Sequence, residues 1–109
     1  MEVLERSPTT AVARVAVAAD DPVFAGHFPG RPILPGAALV ELAHRAVTAL
    51  SGEVAAPRLV GVETARFLRP VGPGSVLTVR LSWDSAERCA AVVSDEDGVV
   101  ARVRLRYGR

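Results

Sequence analysis

The sequence predicts an α+β domain in which one helix packs against a single antiparallel sheet. Three observations lead there. Helical periodicity occurs in one stretch only, several runs place an apolar residue at every second position, and turns rich in Gly and Pro separate those runs by short intervals. The simplest arrangement is a sheet of five to six strands curved round a central helix at about residues 36–51.

The first strand is expected in TAVARVAVA (10–18), where Ala13, Val15 and Val17 fall on one side and ADDPVFA closes the run. Next comes GAALVELAHRAVTAL (36–50), which has no helix breaker after its first residue; Gly52 stands beyond it where helices favour a left-handed stop. RLVGVETARFL (58–68) is the third element, followed by the turn-rich RPVGPG (69–74). In SVLTVRLSWD, Leu77, Val79, Leu81 and Trp83 alternate with Thr78, Arg80, Ser82 and Asp84, the pattern of a strand with one dry face. RCAAVVS (88–94) leads into DEDG, a hairpin turn in which Asp97-Gly98 tolerates positive φ. VVARVRLRY then sets Val99, Ala101, Val103 and Leu105 inward, with Arg102, Arg104 and Arg106 on a wet face.

Glu41, His44, Arg45 and Thr48 form one polar stripe along the helix, whereas Leu39, Leu42, Ala43, Ala46, Val47 and Leu50 cover most of the remaining circumference. Such a helix is mostly buried, and its stripe reads as a solvated edge.

A chain of 109 residues has room for one domain, 1–109, around a single modest core. Thirteen basic residues, all arginine, against twelve acidic ones leave a net charge of +1, so no field of one sign points to nucleic acid. Cys89 is the only cysteine, which excludes an intrachain disulfide and a cysteine-rich zinc site. The start MEVLERSPTT lacks the apolar run of a signal peptide, and no apolar stretch reaches the length of a membrane span. The expectation is a cytoplasmic domain with neither nucleic acid nor membrane as partner.

Residues 26–36, GHFPGRPILPG, gather three prolines and three glycines around one imidazole, His27. Pro29, Pro32 and Pro35 fix the direction of the chain, and the glycines strip the backbone bare, so His27 is held stiffly ahead of the helix. Pro35 suits the first helical position, while Leu34 before it has no side-chain oxygen to cap the following amides. Because Gly36, Ala37 and Ala38 add no bulk, those amides are open to a carbonyl oxygen acquiring negative charge. Glu41 stands about 7 to 8 Å further along the axis. A base, a carboxyl group and an anion-stabilising amide are the set that removes a proton beside a carbonyl and expels a β-substituent. The same segment also fits a stiff loop that merely caps the core.

GHFPGRPILPGAALVE resembles the signature of the β-hydroxyacyl-acyl carrier protein dehydratases, a hot-dog-fold family, whose pattern is approximately G-H-F-P-G-x-P-x-x-P-G-x-x-x-x-E. Every fixed position is matched. VGVETARFLRPVGPGS (60–75) is similar to that family's later G-V-x-x-A-R-F-x-R-P-V-x-P-G segment, so the likeness covers roughly residues 20–83. The resemblance implies dehydration of a 3-hydroxyacyl thioester to the trans-2-enoyl product, in fatty-acid or polyketide-type synthesis. It makes His27 the general base for the α-proton, Glu41 the group that helps the β-hydroxyl leave as water, and Gly36 the N–H donor to the thioester carbonyl. Phe28, Pro29, Gly30, Pro35 and Phe67 are then substrate-binding residues.

The resemblance further implies a dimer, either a homodimer or a heterodimer with a related hot-dog subunit, in which the histidine and the acid of one site come from different subunits. No metal or redox cofactor is called for; phosphopantetheine enters as part of the substrate. Its acyl carrier protein is acidic, and Arg31, Arg66 and Arg69 would form a basic docking rim beside the entrance. Glutamate at position 41 is similar to the simple dehydratase rather than to the relative that also isomerises the double bond.

Two features depart from the family. The stretch before His27 is shorter than in typical members, which predicts a trimmed sheet edge, and Arg45 stands where the family often has Gln, four residues after Glu41 and placed to pair with it. Three rivals stay open: a thioesterase in which Glu41 activates water, a non-catalytic subunit completing a partner's site, and a protein that only binds an acyl thioester. Glu41-x-x-His44 has a spacing known from metal sites, but the further carboxylates such sites need are absent from this helix, and no metal is expected. Cys89 reads as a small apolar strand residue.

Overall fold

The alternating runs become a six-stranded sheet and one helix in the computed structural model, which describes residues 1–20, 34–51 and 58–108. In chain order these are β1 (Glu2–Arg6), β2 (Thr10–Ala16), α1 (Gly36–Ser51), β3 (Arg58–Phe67), β4 (Val76–Ser85), β5 (Arg88–Asp95) and β6 (Gly98–Gly108). The strand order across the sheet is β1-β2-β4-β5-β6-β3, with every neighbouring pair antiparallel. The predicted fold class therefore holds, with the helix boundaries as read. The stop expected at Gly52 lies outside the described residues.

β1 was not among the strands expected from periodicity. Its sequence, EVLER, has two adjacent apolar residues and no alternation, and all five residues are exposed. Pairing holds it in place: Val3 lies opposite Ala13 and Arg6 opposite Ala11, and the Arg14 guanidinium meets the Glu2 carboxylate at 2.6 Å. Arg6 also donates to the Leu50 carbonyl at 2.7 Å, putting a cation on the negative end of the α1 dipole.

α1 buries Leu39, Leu42, Ala43, Ala46 and Val47 against Leu77, Val79, Val93, Val103 and Leu105 of the sheet. Ala43 and Ala46 have no accessible surface at all, so two methyl groups set the approach of helix to sheet. Register shifts at Leu59/Gly61, Val62/Thr64, Trp83/Ser85 and Val93/Ser94 bend the strands about the helix; extra residues of this kind increase local twist and curvature. The inward and outward sets predicted for β4 are observed, as are Ala101, Val103 and Leu105 inward on β6; Val99 was also expected inward, but the shift at Val93/Ser94 leaves it half-buried and puts Val100 in the core instead.

The β5–β6 hairpin turns at Gly98, whose φ of 132° lies where only glycine is comfortable. Asp95 organises that turn. Burial alone would raise its pKa, but hydrogen bonds from the Asp97 N–H, the Arg69 guanidinium and the Gly98 N–H outweigh it and hold the carboxyl below its ordinary 3.8. A depressed folded value stabilises the native state fully above the unfolded pKa, and that contribution drains away as pH falls through the folded value. Asp95→Asn is therefore expected to cost about 1 kcal/mol in urea unfolding at neutral pH, with the gap to the parent protein closing in the acid range below 3.8.

Burial pushes the Cys89 thiol up to about 11, more than a backbone hydrogen bond at Ser82 lowers it, and the nearby Asp84 charge raises it further. Cys89 is thus a packing residue, as expected, with little thiolate to react.

Candidate active site

The start of α1 is clamped to the segment after β3. The Leu34 N–H donates to the Val71 carbonyl at 2.7 Å, and the Leu68 N–H donates to the Val100 carbonyl at 2.8 Å. Pro35 is the carbonyl on which the helix begins, accepting from Ala38 at 3.0 Å and Leu39 at 3.3 Å. The N–H groups of Gly36 and Ala37 find no acceptor among the described residues. They are the orphan donors of an uncapped helix start, at the positive end of its dipole.

Phe67, at the end of β3, lies directly over this turn. A Cβ added to Gly36 would come within 2.8 Å of the Phe67 ring, so close approach accounts for glycine here. Pro35, Gly36, Leu39, Phe67 and Arg69 line a cleft of about 260 Å³, and Phe67 is half exposed within it.

Glu41 faces elsewhere. It is exposed at the second turn of α1 and lines a separate cavity of about 270 Å³ whose walls include Val15 and Val17 from the end of β2, with Leu34, Ala38, Leu42 and Arg45. Among the described residues, Leu34 is the one that lines both spaces. Within one chain, then, the amide and the carboxyl group predicted to act together open onto different cavities. Val15 and Val17 were read only as core-facing strand residues; their role as cavity walls follows from where β2 ends, which periodicity does not report.

Two expectations for the polar stripe are corrected. Arg45 does not pair with Glu41: among the described residues no ion pair or hydrogen bond joins their side chains, despite the favourable spacing. Nor is the whole stripe a solvated edge, because His44 is half-buried and its Nδ1 lies 3.0 Å from the Tyr107 hydroxyl, the two rings stacked with centroids 5.7 Å apart. Trp83 also packs against Tyr107, their rings tilted with centroids 5.5 Å apart. Glu41 and His44 consequently serve different surroundings, and among the described residues no cluster of three or more acidic, histidine or cysteine side chains could hold a metal ion.

The remaining predicted residues divide as follows. His27, Phe28, Pro29, Gly30 and Arg31 lie outside the described residues. Arg66 is exposed on β3, opposite Arg102. Arg69 is engaged within the chain, donating to Asp95 at 2.5 Å and to the Gly98 carbonyl at 3.2 Å, with 38% of its side chain still accessible.

A single long helix wrapped by one antiparallel sheet, its first turn bare and its second turn carrying an outward carboxylate, defines a hot-dog-fold protein. The same fold occurs in the dehydratase heterocomplex ApeI:P from Xenorhabdus doucetiae, which superposes with a TM-score of 0.85 over 100% of this chain and 96% of that one, at 20% identity. The family model ApeI-like, described as ApeI dehydratase, matches residues 4–104. The chain belongs to this dehydratase family. In sequence it is 39% identical over 100 residues to the 3-hydroxyacyl-(acyl-carrier-protein) dehydratase FabZ of Syntrophotalea carbinolica, covering 83% of this chain and 68% of the relative. The FabZ of Burkholderia mallei is 33% identical over 111 residues, 91% of this chain and 72% of the relative. None of the described helices is long and apolar enough to cross a membrane.

Proposed function

We propose that this chain dehydrates a 3-hydroxyacyl thioester, delivered on an acyl carrier protein, to the trans-2-enoyl thioester, working in the cytoplasm at a site built from two subunits. The observation that carries the two-subunit reading is the division of Gly36 and Glu41 between cavities. A site that needs an amide donor at the carbonyl and a carboxyl group at the β-carbon draws them from two copies when one copy directs them apart.

In the proposed reaction His27 takes the α-proton as electron density moves onto the thioester oxygen. The Gly36 N–H receives that developing charge, and a backbone donor fixed beforehand is worth most in the transition state. The β-carbon to oxygen bond then breaks, and the hydroxyl leaves with the proton of Glu41 as water. Phe67 and Pro35, beside the Gly36 amide, are placed to flank the thioester arm, in company with Phe28, Pro29 and Gly30.

The edge strand β3 supports the mode of assembly. Among the described residues it pairs only with β6, and along it and just beyond it Val60, Val62, Phe67 and Leu68 stand 44 to 50% exposed. A ten-residue edge with free backbone groups and exposed aliphatic side chains is a template for another strand. Because Phe67 belongs to both this edge and the Gly36 cleft, a subunit paired along β3 lies next to that cleft. Arg66 on β3 and the accessible part of Arg69, together with Arg31, are the proposed contacts for an acidic carrier protein.

The test is direct. Purified protein given a 3-hydroxyacyl thioester is expected to generate enoyl absorbance without releasing free thiol; thiol release without enoyl product would instead establish a thioesterase. The likeness to the ApeI:P heterocomplex favours a second reading, a subunit of a mixed pair. On that reading enoyl formation appears only once a related hot-dog subunit is added.

A further inference from the structure

Glu41 and Arg45 are the charged residues among those described on the wall of the α1 cavity. They stand one helical turn apart, about 6 Å along the axis, a spacing at which arginine commonly closes onto glutamate. Here it does not, and the Arg45 guanidinium has no protein acceptor among the described residues. The Arg45 backbone carbonyl accepts from the Thr48 hydroxyl at 2.9 Å. The wall around the two charges is aliphatic, made by Val15, Val17, Leu34 and Leu42. The elimination uses an imidazole, a carboxyl group and an amide, so nothing in it calls for this cation.

We infer that Arg45 is a specificity-determining residue that selects 3-hydroxyacyl chains carrying a carboxylate beyond the reacting carbons over plain alkyl chains of equal length. The inference rests on the dehydratase reading of Glu41: with the β-hydroxyl at Glu41, the acyl chain continues along a cavity whose next polar group is Arg45. A guanidinium offers donors only, so its complement is an acceptor, and a carboxylate accepts two parallel N–H···O bonds from it. An alkyl chain of the same length gives Arg45 nothing and removes water from it.

The experiment compares 3-hydroxyadipoyl-pantetheine with 3-hydroxyhexanoyl-pantetheine on the full chain, reading equilibrium binding by calorimetry and turnover by enoyl absorbance. The carboxylated thioester is expected to bind about tenfold more tightly. Arg45→Gln should bring the ratio to about one, and Arg45→Glu should reverse it in favour of an amine-ended 6-amino-3-hydroxyhexanoyl thioester, which a merely damaged cavity does not do. Equal binding of the first two thioesters by the parent protein, or a ratio that Arg45→Gln leaves untouched, overturns the assignment. If the binding preference is found and depends on Arg45 while neither thioester yields enoyl product, with or without an added related hot-dog subunit, the binding assignment stands and the dehydratase reading falls. If both are dehydrated without preference, Arg45 loses its role and that reading survives.

Discussion

Glu41→Gln is expected to lower kcat/KM for enoyl formation by about a thousandfold, the middle of the range that general acid–base groups contribute. The substitution keeps the size of the side chain and removes the proton it would deliver to the departing hydroxyl. It should leave folding intact, because Glu41 is exposed and makes no ion pair or hydrogen bond among the described residues. Thermal melting measured beside the kinetics separates the two effects. A variant that melts with the parent protein and retains full turnover would remove Glu41 from the mechanism. The leaving hydroxyl would then need another proton source.

Mixing two inactive proteins is expected to restore activity. His27→Ala removes the proposed base and Glu41→Gln the proposed acid, and each variant alone should be close to dead. If a two-fold symmetric dimer draws the base of each site from one subunit and the acid from the other, a mixed dimer has one site lacking both groups and one site lacking neither. Equal amounts exchanged to equilibrium give half the dimers mixed, each with one working site of two, so activity returns to about a quarter of the parent value. No recovery after demonstrated subunit exchange would place both groups in a single chain. That result would contradict the reading drawn from the separate cavities of Gly36 and Glu41.

Much of the architecture is written in the side-chain pattern because burial enforces it. The alternation in Leu77, Val79 and Leu81 and the apolar sweep of Leu39 to Val47 each describe a face that water must leave. What escapes such reading is whatever packing does not decide. β1 is a strand by pairing alone, with every residue exposed, so no hydrophobic signal marks it. Arg69 and Asp95 are 26 positions apart, and only the path from β3 to the β5–β6 hairpin brings them together. His44 belongs to the polar stripe by its spacing, yet it meets Tyr107 across 63 positions. The placement of Gly36 and Glu41 was legible, since both sit on α1 at the expected turns. Their opening onto two cavities was not, because helical spacing gives distance along an axis and says nothing of what stands opposite.

The contact of Ala43 and Ala46 with the sheet has a consequence for how such a protein could be re-engineered. Beneath the middle of the helix the protomer is solid, so a longer or shorter acyl tail cannot be accommodated by hollowing out its own interior. Bulkier residues at either alanine would lever the helix outward and swing its carboxylate with it, altering catalysis through positions no substrate ever reaches. Tail-length tuning is thereby confined to the periphery of the protomer and the few side chains that border its cavities.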